Sequence, residues 1–386
     1  MKNLFDVYSI NPINIVKAKG SYVWDDQDQK YLDMYGGHAV ISIGHTHPYW
    51  VNRIERQLNE IAFYSNSVEI PIQQELAQKL CLLCGKSDYQ LFLVNSGAEA
   101  NENAMKLASF HTGRKKILSF KKAFHGRTSL AVSATDNPSI VAPVNQTSNV
   151  DFIEFNNKEA LQTYFDNQGN NLAAVIIETI QGVGGINVAD DDFLQLLFSL
   201  TRKHQAILIA DEVQCGYGRS GQFFAIDKAG IKADIYTMAK GMGNGFPIGG
   251  ILIAPELKAK HGMLGTTFGG NHLACAAALA VLEVIEQENL LTMVKTTSEY
   301  LLSQLNEIGE IKNVRGLGLM IGFDAAEEIA SLKKNLLSHK HIFTGEAKPN
   351  VIRLLPALNI SIEEVDEFLT GLKNEIAVMT AKAVPA

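Results

Sequence analysis

The chain has 386 residues, 46% of them hydrophobic and 19% charged, with a net charge of −7 at pH 7. Such a balance predicts a soluble globular protein with room for two domains and a large buried core. It leaves no basic surface for a nucleic-acid backbone or an anionic membrane, so no nucleic acid and no membrane are expected as partners.

The first twenty residues, MKNLFDVYSINPINIVKAKG, lack the sustained apolar stretch of a signal peptide. No segment reaches the ~20 apolar residues of a membrane span, which implies a cytoplasmic location. The stretch SYVWDDQDQKYLDMYGG then alternates about a tight turn and predicts a small antiparallel hairpin. In QQELAQKLCLLCG the C-x-x-C of Cys81 and Cys84 falls on the apolar face of an amphipathic helix. Buried thiols are expected there, since the 4 cysteines of this chain are too few for a disulfide scaffold.

From about residue 50 to 275, short apolar runs alternate with longer helical patterns: YQLFLVN, KKILSF, AAVIIE, AILIAD, DIYTMAK and GGILIA. That alternation predicts an α/β fold with a mostly parallel sheet covered by helices on both faces. Several runs end in Asn95, Glu178, Asp211 or Lys240, at the strand carboxyl ends where open parallel sheets bind ligands. After residue 276 a helical pattern leads to VRGLGLMIGFD and VIRLLPAL, which resemble strands beside helices. The expected division is a large domain at 51–275 and a smaller α+β domain from 1–50 and 276–386.

In VNSGAEANENAMKLASF, Ser96, Gly97 and Ala98 stand between a strand and a helix. Ser96 with Glu99 makes a capping box, while small residues at a helix N-terminus also present backbone N–H groups to an anion, and one geometry serves both. GYGRSG, 216–221, is formally a G-x-G-x-x-G, but no convincing helix and no correctly spaced ribose-binding acid follow. A surface loop is therefore expected there in preference to a nicotinamide-dinucleotide site. Asp211 ends an apolar strand, where an ionised carboxylate needs a cationic partner. No neighbouring acid or histidine has metal-ligand spacing, so the partner expected is a cation on a ligand, with no metal. Lys240 ends another buried strand ahead of the glycine-rich GMGNGFPIGG, and desolvation there would free its amine as a nucleophile. Pyridoxal phosphate would use all three features: a lysine for its aldehyde, an acid for its pyridinium nitrogen and an anion cradle for its phosphate.

The blocks GHTHP, NSGAEAN, FHGRTSLAVSAT, IIETIQGVGG, ADEVQCGYGRSG, AKGMGNGFPIGG, GTTFGGNHLACAAALAV, VRGLGLMIG and VIRLLPAL follow one another over nearly the whole chain. Their order and spacing resemble the class III, or ornithine-type, pyridoxal-phosphate aminotransferases of fold type I. Within that class, FHGRT and the overall length are most similar to the acetylornithine aminotransferases. The resemblance implies that Lys240 holds the cofactor and shuttles a proton, and that Asp211 keeps the pyridine nitrogen protonated. It places Val213 and Phe124 on the two ring faces and Gln214 on the phenolic oxygen. Ser96, Gly97 and Ala98 would seat the phosphate, with Glu178 among the cofactor contacts, and Thr267 would reach the phosphate of a neighbouring subunit in a homodimer with shared sites. Arg353 would clamp the α-carboxylate of 2-oxoglutarate or glutamate, and Arg127 that of N-acylornithine. Tyr8 matches a tyrosine that assists in some relatives, or packs on the large domain.

The implied reaction moves the δ-amino group of N-acetylornithine to 2-oxoglutarate in a ping-pong cycle of arginine biosynthesis. N-succinylornithine, ornithine and 4-aminobutyrate are the alternative amines. One departure stands out, because the family's IQGEGG or IQGEAG is here IQGVGG. Val183 replaces a glutamate that pairs with the carboxylate-binding arginine, which leaves Arg353 unshielded and open to a further carboxylate such as that of a succinyl group. His38 stands where many acetylornithine enzymes carry an aliphatic residue, and either borders the acyl pocket or is held by hydrogen bonds as a structural residue.

Overall fold

The apolar runs between residues 90 and 253 assemble into one seven-stranded sheet. Its order is Gln90–Val94, Gly249–Ile253, Ile235–Met238, Ile207–Asp211, Leu172–Ile177, Lys116–Phe120 and Val150–Ile153. The computed structural model describes residues 3–383. Pairing is parallel from Ile235–Met238 through Val150–Ile153, whereas Gly249–Ile253 runs antiparallel to both of its neighbours. That strand returns directly after the glycine-rich loop, and without a crossover helix only an antiparallel pairing can form. Leu172–Ile177 and Ile207–Asp211 are buried along their whole length, as strands covered on both faces must be.

Helix Gly97–Thr112 packs across this sheet and begins at the carboxyl end of Gln90–Val94. Its start is fixed locally. Ser96 Oγ accepts the Glu99 N–H at 3.2 Å, and the Glu99 carboxylate accepts the Asn95 N–H at 2.6 Å. The return arm therefore lands one residue earlier than in the usual capping box. Helix Pro71–Leu83 carries Cys81, with Cys84 just beyond its end, and all four cysteines are free and buried.

The chain ends build two further sheets. The expected hairpin pairs Tyr22–Asp25 with Lys30–Asp33, Tyr22 opposite Leu32. Ile15–Lys19 flanks it on one side and Ile342–Phe343 on the other, so residues from both ends of the chain share one sheet. Ile311–Leu317, Met320–Ala325, Val351–Leu354 and Gly345–Ala347 form an antiparallel sheet that carries Arg353. Among the described residues, no helix is long and apolar enough to cross a membrane.

The expectation of a surface loop at GYGRSG is wrong, because residues 216–221 are buried throughout. Arg219, 2% exposed, donates to the carbonyl oxygens of Leu319 at 3.2 Å, Ile41 at 3.4 Å and Pro356. The loop is thus an anchor that ties segments from both chain ends to the strand Ile207–Asp211. Burial lowers the Arg219 pKa to about 9, the cost of holding a guanidinium among carbonyls without a paired carboxylate.

Candidate active site

The strand carboxyl ends bring Asn95, Glu178, Asp211 and Lys240 to one cavity of about 390 Å³. Ser96, Gly97, Ala98, Phe124, Val213 and Gln214 line it as well, as do Arg127 and Val183. Arg353 is not on the lining; it donates to the carbonyl of Gly182, the chain neighbour of the lining residue Val183. Two of the residues singled out from sequence lie elsewhere on this chain. Thr267 is exposed in the loop after Gly249–Ile253, and Tyr8 is 78% exposed in the N-terminal segment.

Asp211 is 3% exposed, and four donors hold its carboxylate. Oδ2 accepts from Asn101 Nδ2 at 2.8 Å and from His125 Nδ1 at 2.7 Å, while Oδ1 accepts the Val213 N–H at 3.1 Å and the Thr237 hydroxyl at 3.5 Å. Asn101 also donates to the His125 carbonyl at 2.7 Å, which locks the two donors to each other. Asn101 and His125 lie within the blocks NSGAEAN and FHGRT, yet their residue types alone do not mark them as partners of Asp211. The available signal was Asn101's place one turn after Gly97, which puts both on the helix face that meets the strand ends.

Lys240 opens a short helical turn with a φ of 47°, in the left-handed region. Burial pushes its amine below the ordinary lysine value, with Asp211 and Glu178 pulling the other way. A desolvated amine is more often neutral and hence nucleophilic. Glu178 accepts the N–H groups of Phe124 at 2.9 Å and Gly182 at 3.2 Å, and burial raises its carboxyl to about 7.

A group with a carbonyl carbon, a basic ring nitrogen and an anionic tail fits these residues. The helix N-terminus at Gly97 and Ala98 presents unpaired N–H groups to an anion. A Cβ on Gly97 would stand 2.6 Å from Val213 Cγ1, so only glycine lets Val213 lie against that turn. Three buried polar atoms, Asn101 Oδ1, His125 Nε2 and Gln214 Oε1, have no protein partner. Among the described residues, no three histidine, cysteine, aspartate or glutamate side chains cluster to hold a metal ion.

Residues 6–376 match the family Aminotransferase class-III. The chain belongs to that family. This class III aminotransferase is 41% identical over 376 residues to the acetylornithine aminotransferase of Archaeoglobus fulgidus, spanning 97% of this chain and 98% of that one. It is 36% identical over 388 residues to the [LysW]-aminoadipate semialdehyde/glutamate semialdehyde transaminase of Sulfolobus acidocaldarius, spanning 99% of each. An ornithine aminotransferase from Toxoplasma gondii, whose crystal structure shows partial occupancy of pyridoxal phosphate at the active site, matches with a TM-score of 0.91 at 26% identity. That match covers 98% of this chain and 93% of the other. The class III aminotransferase therefore has fold type I and takes pyridoxal phosphate as its cofactor, a ring that accepts the electron pair released at the substrate carbon.

Arg353 is 5% exposed in the strand Val351–Leu354. Its NH1 donates to the Gly182 carbonyl at 3.0 Å and its NH2 to the Tyr35 hydroxyl at 3.3 Å, with the guanidinium 5.7 Å from the Tyr35 ring centre. Nε is buried without a partner, and among the described residues no carboxylate lies within ion-pair distance. The Tyr35 hydroxyl also meets His38 Nδ1, and Gln214 Nε2 donates to the His38 carbonyl at 3.1 Å. Four consecutive residues here have positive φ: Gly36 at 55°, Gly37 at 55°, His38 at 68° and Ala39 at 63°. For His38 and Ala39 that left-handed turn costs roughly 1–2 kcal/mol per residue.

Proposed function

We propose that this class III aminotransferase transfers the δ-amino group of an N-acylornithine, N-acetylornithine in the first place, to 2-oxoglutarate in two half-reactions. The observation that carries the reading is a cavity with one desolvated lysine and Arg127 on its lining, and with Arg353 bonded to the carbonyl next to the lining residue Val183. Curated relatives at 36–41% identity over nearly the full chain are named acetylornithine aminotransferases. Lys240 would hold the cofactor covalently, and Asp211 would keep its ring nitrogen protonated. Val213 and Phe124 would pack on the ring faces, Gln214 and Glu178 beside it, and Ser96, Gly97 and Ala98 around the phosphate. Lys240 Nζ, with its pKa pushed down by burial, would take a proton from the substrate carbon and return it. Arg353 and Arg127 would each bind one carboxylate of 2-oxoglutarate, and Arg127 the α-carboxylate of the acylornithine.

A homodimer belongs to this reading, since Thr267 is exposed on its own chain and would reach the phosphate of a second copy. Tyr8 would assist at the substrate entrance, and the division into 51–275 and the two chain ends would frame the site. The cytoplasm is the proposed location.

N-succinylornithine is the second reading. Val183 lines the cavity at 47% exposure next to the carbonyl that accepts from Arg353, so position 183 sets no anion against that arginine. The test follows the visible absorbance of the cofactor-loaded enzyme as N-acetylornithine or N-succinylornithine is added, then 2-oxoglutarate. Bleaching by either amine and recovery with 2-oxoglutarate support the assignment, and kcat/KM for the two amines gives the acyl preference. If the succinyl carboxylate uses Arg353, Val183→Glu lowers kcat/KM for N-succinylornithine by about tenfold or more, and that for N-acetylornithine far less. Failure of both amines to bleach the band would overturn the acylornithine reading.

A further inference from the structure

We infer that Tyr35 and His38 are positioning residues for Arg353, a neutral pair that orients the guanidinium for a dicarboxylate in place of a carboxylate shield. The inference rests on the reading of Arg353 as a carboxylate site. It goes beyond that reading by naming what holds the arginine in this chain.

A tyrosine hydroxyl has one proton and two acceptor positions. Tyr35 accepts from Arg353 NH2, and with its single proton it donates to His38 Nδ1 when that nitrogen carries no hydrogen. That direction requires a neutral imidazole with its proton on Nε2. Burial favours the neutral ring of His38, and two nearby cations add to it: Arg353 from its strand and Lys333 from the helix Leu332–Lys340, the latter paired with Glu346 at 2.9 Å.

His38 lies three positions after Tyr35, and the left-handed turn Gly36–Ala39 folds the second side chain back onto the first, with ring centres 4.8 Å apart. Backbone strain at non-glycine residues persists where the surroundings over-determine it, as the Gln214 bond to the His38 carbonyl does here. The same bond joins the pair to a residue of the cofactor cavity. With NH1 on Gly182 and NH2 on Tyr35, Arg353 is fixed on one side and keeps Nε without a protein partner.

The experiment measures calorimetric binding of glutarate, an unreactive dicarboxylate, to the cofactor-loaded enzyme, alongside single-turnover kinetics of the glutamate half-reaction, whose half-saturation and limiting rate are read as KM and kcat. The variants are Tyr35→Phe, His38→Ala and His38→Asn. Asparagine tolerates the left-handed backbone and places an acceptor oxygen where Nδ1 stood. Tyr35→Phe and His38→Ala are expected to raise the glutarate Kd and the KM for glutamate about tenfold with kcat little changed, the signature of lost uniform binding through one charge-assisted hydrogen bond. His38→Asn is expected to restore both toward wild type. Unchanged glutarate binding in Tyr35→Phe, or a joint fall of kcat and rise of KM that His38→Asn does not rescue, would overturn the inference. Neither readout involves an acylornithine, so this outcome is separable from failure of the acylornithine reading.

Discussion

Asn101 is the sharpest place to perturb the site, because one buried amide group serves two partners, the Asp211 carboxylate and the His125 carbonyl. Its Nδ2 donates to Asp211 Oδ2 at 2.8 Å and to the His125 carbonyl at 2.7 Å, and the side chain is 1% exposed. Asn101→Ala removes both bonds. A hydrogen bond to a charged group contributes roughly 1.5–3 kcal/mol and a neutral one about 1 kcal/mol, so the expected loss is about 2.5–4 kcal/mol. Equilibrium urea unfolding at fixed cofactor concentration reads it as a lower midpoint at constant slope. Asn101→Asp keeps the volume but sets a second carboxylate against Asp211, and is expected to cost more than alanine. Because Asn101 and His125 both donate to Oδ2 of Asp211, their alanine variants should be non-additive, with a coupling of roughly 1 kcal/mol or more in a double-mutant cycle. A loss below about 1 kcal/mol for Asn101→Ala, or strict additivity with His125→Ala, would refute the view that Asp211 is held by this pair.

Two further outcomes follow from buried charges outside the cavity. Glu212, 1% exposed, accepts the N–H groups of Ala225 and Ile226 at 2.9 Å each, and burial raises its carboxyl to about 7. The folded state therefore holds this proton more tightly than the unfolded chain. The resulting stability is fully present below the unfolded value and is lost as pH rises through about 7, by roughly 3 kcal/mol in all. Glu212→Gln should flatten the fall of unfolding free energy between pH 5 and 7, and an unchanged slope would assign that fall to other groups. Arg219→Met leaves the carbonyl oxygens of Leu319, Ile41 and Pro356 without their donor, and a loss of about 3 kcal/mol or more is expected in thermal or urea unfolding. Arg219→Lys should recover only part, since one ammonium cannot span the fork of the guanidinium. A methionine variant as stable as wild type would mean that the loop is held by packing alone.

What was legible in the sequence was whatever topology makes local. An apolar run that ends in Asp211 or Glu178 announces a strand terminus, and a parallel sheet sends such termini to one edge, so four residues far apart in sequence could be placed together. The direction of Gly249–Ile253 was not legible, because an apolar run carries no sign of its orientation. The burial of 216–221 was missed for a different reason. Arg219 finds backbone carbonyls at residues 41, 319 and 356, and since every residue carries a carbonyl, no side-chain pattern betrays the partner. Asn101 and His125 were hidden in the same way, as polar residues whose common acceptor lies 110 and 86 positions away. Thr267 and Tyr8 remain exposed on a single chain, as residues proposed to act at a dimeric site can be.

His38 and Val183 belong together in a way that neither position reveals by itself. An arginine shielded by a carboxylate must lose that partner whenever a substrate carboxylate takes its place, and the displaced anion then needs somewhere to go. Arg353 instead leans on a carbonyl and a hydroxyl, dipoles that need not leave when an anion pairs with the buried, unpartnered Nε. The desolvation of the guanidinium is offset in the free enzyme by those neutral contacts and in the complex by the incoming carboxylate as well. Replacing an anion at position 183 with valine is therefore tolerable only if something else fixes the arginine, and the strained turn that aims His38 at Tyr35 supplies that support. On this account Val183→Glu in the His38→Ala background should recover Arg353 orientation while sacrificing dicarboxylate affinity, because an ion pair would replace the neutral brace.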